Sequence, residues 1–139
     1  MNLRGIKARP ADLEAMLAHG PALVELHCST ADLQWRPSRR YGAPLAVHLP
    51  EYHEGRLLDP ASLDEAVREE TAEIYAHAVE TAASWGDFFP AAAPKIVFHP
   101  GGNSVMAYTP AQVARARLQL AKTVGAMKAA HRDSGGAPE

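Results

Sequence analysis

Cysteine is almost absent from this chain. Of 139 residues only Cys28 is a cysteine, so no internal disulfide can form and no paired-cysteine metal or redox motif exists. Neither charge sign dominates. The net charge of -2 gives no whole-chain attraction to nucleic acid or to acidic lipid. No apolar run approaches the roughly 20 residues needed to cross a bilayer. The first ten residues, MNLRGIKARP, lack the apolar stretch of a secretory signal. Together these absences make a cytoplasmic protein without a membrane segment or a nucleic-acid partner the expectation.

What is present is an ordinary globular composition, 47% hydrophobic and 22% charged, in one domain with a real core. Three short apolar runs read as strands: 22–28 (ALVELHC), 44–49 (PLAVHL) and 95–99 (KIVFH). Each is bounded by Pro, Gly or Ser. Residues 3–7 (LRGIK) form a weaker candidate, because Gly5 interrupts them. Helices are expected between the strands. The first spans 11–19, opened by Pro10 and closed by Gly20. The second starts at Ser62 in a capping box with Glu65, with Leu63, Val67, Ile74, Ala78, Ala82 and Trp85 as its apolar stripe. In the third, Thr109 caps the helix, Pro110 sits in its first turn and Gln112 completes another capping box. Its buried face is expected at Val113, Ala116, Leu120, Val124 and Met127, with Arg115, Lys122 and Arg132 solvated. Residues 31–41 read as a short helix and a basic loop. The polar end, 133–139, is expected to be disordered, leaving 1–132 as the domain.

Strands alternating with helices imply an α/β fold with parallel strands and crossover connections. Period two then sorts the side chains. Val24, Leu26 and Cys28, Leu45, Val47 and Leu49, and Ile96 and Phe98 meet the helices. Glu25 and His27, Ala46 and His48, and Lys95, Val97 and His99 share the opposite face. Three strands thus aim a histidine at one side, each at its C-terminal end, and imidazole is a common ligand for divalent metals. A strand histidine is also often a hydrogen-bonded core residue, so residue types alone leave both readings open. Other candidates carry similar pairs of readings. Glu25 orients an imidazole or pairs with Lys95. Glu51, Tyr52 and His53 touch a ligand or are solvated loop residues. Gly101, Gly102 and Asn103 offer N–H groups to an anion or serve a turn that needs positive φ. Arg36, Arg39 and Arg40 contact phosphate or are solvated. Trp35 and Trp85 read as packing residues, and Cys28 as a buried small hydrophobe.

His48 with Pro50, residues 58–63 (LDPASL), the helix after them and His99-Pro100-Gly101 together resemble the xylose-isomerase-like barrel superfamily. It includes sugar isomerases, sugar-acid epimerases and metal-dependent apurinic endonucleases. The likeness covers residues 45–104 well and the flanks loosely. It implies a partial (β/α)8 barrel of about three to four βα units, the N-terminal half. It also implies a divalent metal (zinc, manganese or magnesium) with His48 and His99 as ligands, and a small sugar or sugar phosphate as substrate. His27, Glu25, Glu51, His53, Gly101 and Gly102 are then the expected substrate-binding residues. In the sugar-isomerase branches the positions of His48 and His99 hold substrate-binding histidines instead. The family's carboxylate ligands come from later strands, and a whole barrel needs about 250 residues. The expectation is therefore an incomplete site, completed by a homo-oligomer or a missing second half, on a sheet with two open edges and an apolar inner face. Isomerase or epimerase chemistry leads; phosphodiester hydrolysis at abasic DNA and a non-catalytic assembly role are the alternatives.

Overall fold

The structure is a computed structural model that describes residues 5–90, 93–102 and 107–134. Four strands, β1 (Gly5–Ala8), β2 (Leu23–His27), β3 (Leu45–His48) and β6 (Lys95–Val97), form one sheet in the order β1-β2-β3-β6. All three pairings are parallel. Between them lie α1 (Leu13–Leu17), a hairpin of β4 (Tyr52–His53) and β5 (Arg56–Leu57), and α2 (Glu65–Gly86). The long α3 (Pro110–Asp133) follows β6. The chain is thus mixed α/β around a four-stranded parallel sheet, with its helical layer on one face. No described helix is long and apolar enough to cross a membrane.

The alternation read from the sequence decides which face the helices cover. Val24, Leu26, Cys28, Leu45, Val47 and Leu49 are buried in the main core, against Tyr75, Ala78, Val79, Ala82 and Trp85 of α2 and Leu13 of α1. Trp35 packs edge-on against Trp85 with centroids 5.2 Å apart, and Tyr41 stacks on Phe89 at 4.8 Å; both tryptophans are packing residues. Burial pushes the Cys28 thiol up to about 12, so it is no nucleophile. Among the described residues the other face of the sheet has no helical layer. It carries Lys7, Glu25, His27, Lys95, Val97 and His99, each exposed or half-buried. The apolar inner face expected from the sequence is therefore largely polar, and only the central Ala46 and His48 are buried there.

Several local expectations are corrected. The cap of α2 is Asp64, not Ser62: its carboxylate accepts from the Ala66 and Val67 amides, while the Ser62 hydroxyl accepts from Asp64 N–H. A carboxylate serving two orphan amides outcompetes a hydroxyl one residue too early. The buried side of α2 is wider than the expected stripe, running from Arg68 and Thr71 through Tyr75 to Trp85, with Ile74 and Val67 half-buried. The helix packs on the sheet along one side and on α3 along another. The third helix has its expected capping box at Thr109 and Gln112, but its buried residues are Ala116, Gln119, Thr123, Met127 and Ala130. It lies on α2 rather than on the sheet, and α2 with the turn before it accepts polar contacts. Thr123 donates to the Pro60 carbonyl at 2.9 Å, Arg115 donates to the Leu63 carbonyl and Lys122 pairs with Glu65. Asp133 closes α3 and the Ser134 hydroxyl donates to the Ala130 carbonyl; 135–139 lie outside the described residues. The first helix is only five residues, preceded by a 3-10 turn at Pro10–Asp12, and Gly20 ends that segment at φ 62°. Arg36 donates to the Leu33 and Trp35 carbonyls, while Arg39 pairs with Glu14 and lies over the Tyr41 ring. The solvated, structural reading of this basic cluster is the one the structure supports.

Candidate metal centre

The sheet register brings the imidazoles together. His27 and His48 are direct partners across β2 and β3, so their side chains leave the same face at the same height. Their ring centroids are 4.5 Å apart, edge to face. His99 lies two residues past the end of β6, and its ring is 5.1 Å from that of His48. All three stand at the C-terminal ends of adjacent parallel strands, the end at which α/β sheets place their sites.

A carboxylate joins them. Glu51 follows β3 by three residues, and its Oε1 lies 3.1 Å from His27 Nε2 and 3.2 Å from His99 Nε2. The hairpin fixes this placement. Glu54 and Gly55 take φ 49° and 76°, the mirror-image turn that suits the twist of two short strands. Leu58 N–H then returns to the Glu51 carbonyl at 2.8 Å. The hairpin is not visible in the sequence because its turn is Glu-Gly rather than the usual Asn-Gly or Asp-Gly.

His48 is 5% exposed, and its Nδ1 faces the Leu49 carbonyl at 3.0 Å. A carbonyl only accepts, so Nδ1 carries the proton and Nε2 keeps its lone pair for a ligand. Burial, the Lys7 ammonium and the neighbouring His48 hold His27 below its ordinary value of 6.5, against the pull of Glu51. Burial pushes the Glu51 carboxyl up, but its bonds to His27 and His99 outweigh this and leave it below the usual carboxylate range. Both directions, down for His27 and down for Glu51, favour the neutral imidazole and ionised carboxylate that metal ligation requires of these two groups.

His27, His48 and Glu51 form a group that could hold a metal ion: one ligand atom from each lies within 4.8 Å of the others. Donors around a tetrahedral ion at roughly 2.0–2.1 Å stand about 3.3 Å apart. The His27–Glu51 separation already matches, and an ion would draw His48 inward. Two imidazoles and one carboxylate leave room for a fourth, exchangeable ligand.

The structure thus assigns the expected residues unequally. His48 has the expected position, and His27, expected against substrate, is its direct partner. His99 reaches the group through Glu51. Glu51, expected against substrate, is a carboxylate of this chain beside the imidazoles, where the resemblance implied carboxylate ligands from later strands. Glu25 does not orient His27; it stands one pleat lower, beside Lys7 and Ala46. Ala46 separates it from Lys95 in the register, and no ion pair joins the two. His53 lines a cavity of about 80 Å³ with Val67 and Thr71, against α2. Gly101 and Gly102 take φ 75° and 77°, and Gly102 N–H donates to Asp59 Oδ1 at 2.7 Å. The turn reading accounts for them, and the Gly102 amide is not free for an anion; Asn103 lies outside the described residues. Comparison with protein-family models, with curated proteins and with solved structures finds no match to this chain.

One consequence concerns pH. Because His27 is held below 6.5, the unfolded chain binds more protons than the folded one between the two values. Stability of the metal-free protein should rise with pH through that window and level off above it. An NMR titration of the imidazoles checks the cause: the His27 midpoint falls below 6.5, and a midpoint at or above it contradicts the assignment.

Proposed function

We propose that this chain is part of a (β/α)8 barrel and binds one divalent metal through His27, His48 and Glu51. In this reading it serves isomerisation or epimerisation of a sugar or sugar phosphate. The observation that carries the reading is the convergence of these three groups, with His99 attached to Glu51, above the C-terminal ends of neighbouring parallel strands. The donor set favours zinc or manganese over magnesium, which prefers oxygen ligands. Bound there, a metal would supply Lewis acidity, holding adjacent substrate oxygens and favouring an enediolate. The protein's own groups do the rest. His48 is fixed by the Leu49 carbonyl and keeps one tautomer. His99, whose side chain is 64% exposed, is placed to hydrogen-bond a sugar hydroxyl. Glu25, half-buried on the same face and without an ion-pair partner, is available to accept and return a proton. The net charge of -2 weighs against a DNA substrate.

The test is exchange of substrate hydrogen. The protein, loaded with zinc or manganese, is incubated in D2O with a panel of aldoses, ketoses and their phosphates. Deuterium should appear at the carbon beside the carbonyl for at least one of them, and His48→Ala should abolish it. No incorporation and no product across the panel contradicts the reading.

A further inference from the structure

The parallel sheet is open in two ways. Parallel sheets are ordinarily covered on both faces, yet here the face bearing Lys7, Glu25, His27, Lys95 and His99 has no layer over it among the described residues. Both edges are also unpaired among those residues: β1 and β6 each have one strand neighbour. The outer apolar layer thins at the same two edges. On the central strands Val24, Leu26 and Val47 are fully buried, whereas Ile6 on β1 and Ile96 and Phe98 at β6 are only partly covered. An unpaired backbone edge flanked by a half-covered apolar strip is an association surface.

We propose that a second copy of this chain completes the sheet, with β6 of each copy pairing in parallel with β1 of the other about a two-fold axis. Four strands and four strands close at eight, the number whose interior side chains can fill. The symmetry satisfies both edges of both copies with a single repeated contact. The two edges are the first and last strands of one parallel set, so each complements the other in direction. The open face carries both signs, with Lys7 and Lys95 beside Glu25, and the chain's small net charge opposes association only weakly. The candidate site also requires this wall. His99 stands largely in solvent, and only the opposite half of a closed barrel would enclose a ligand above the imidazoles. The inference shares the barrel reading of the fold given above but not the metal assignment.

The test uses the full chain with metal removed by chelator, so that site occupancy plays no part. Sedimentation velocity should give a species of twice the 14.9 kDa chain mass. The variant carrying both Lys7→Cys and Val97→Cys is then treated with a bis-maleimide spanning about 8 Å. Within one copy these positions lie three strand spacings apart, roughly 14 Å, beyond that reach. The buried native thiol of Cys28 stays silent. Mass spectrometry should find a link from residue 7 of one copy to residue 97 of the other. A monomer at 100-fold dilution series concentrations up to the solubility limit overturns the proposal. So does a dimer whose links are mainly 7 to 7 or 97 to 97, which would mean antiparallel edges. Metal titration of the same samples reports separately on the site, so failure of one reading is distinguishable from failure of the other.

Discussion

Replacing Gly101 by alanine should destabilise the protein by about 2–4 kcal/mol and lower the melting temperature by roughly 10 °C. Two costs combine. The residue takes φ 75°, which costs a side-chain-bearing residue about 1–2 kcal/mol. An added Cβ would also lie 2.1 Å from Asp59 Oδ1 and 2.7 Å from Pro60 Cδ. That oxygen is not a flexible chain end. It accepts from Ala61 N–H at 3.0 Å and Gly102 N–H at 2.7 Å, while the Asp59 amide donates to the Thr71 hydroxyl. Moving the carboxylate leaves buried amides unpaired. Gly20→Ala is the control. Gly20 also has positive φ, at 62°, but nothing lies within 4 Å of an added Cβ, so only the backbone cost of about 1 kcal/mol applies. Calorimetry of the two variants checks the difference. Equal effects would mean that the contact with Asp59 does not hold the turn that carries His99.

The second large effect concerns Glu51. Glu51→Ala should weaken zinc or manganese binding by about 100-fold or more, because it removes a ligand and also the partner that orients His27 and His99. The melting temperature of the metal-free protein should change little, since the side chain is 31% exposed and partly exposed pairs contribute little to folding. Glu25→Ala should leave affinity within about threefold, since Glu25 lies one pleat below the cluster. Metal titration of the two chelator-treated variants measures both affinities, and a thermal scan of the metal-free Glu51→Ala protein measures its melting temperature. A loss with Glu25→Ala as large as with Glu51→Ala would place the ion lower on the sheet than the imidazoles.

How much of this was legible before the structure follows from the physics of each element. Period-two alternation gave the strands and their faces, because Val24, Leu26, Val47 and Leu49 need the apolar side under the helices while Glu25, His27, His48 and Lys95 do not. The same alternation gave the shared side of His27, His48 and His99. Long-range register is not encoded in any short window, so the direct pairing of His27 with His48 was not legible, and His27 was assigned to substrate instead. Glu51 was counted as a loop residue because the Glu54-Gly55 turn that returns the chain lacks the common hairpin signature. Helix faces were only half legible. Periodicity located Ala78, Ala82 and Trp85, but α3 buries Gln119 and Thr123 and bonds through Thr123 to the Pro60 carbonyl ahead of α2, a polar contact that a hydrophobic stripe does not reveal. Ser62 and Asp64 both carry capping chemistry, and only the turn through Asp59 and Pro60 decides between them.

Calorimetric titration of zinc into chelator-treated protein probes the imidazole–carboxylate cluster most directly. One ion per chain should bind with a Kd of about 1 μM or tighter, some 8 kcal/mol, and His27→Ala and His48→Ala should each remove that binding. Binding at about millimolar or weaker, or tight binding that survives His48→Ala, would show that these side chains do not meet around a metal.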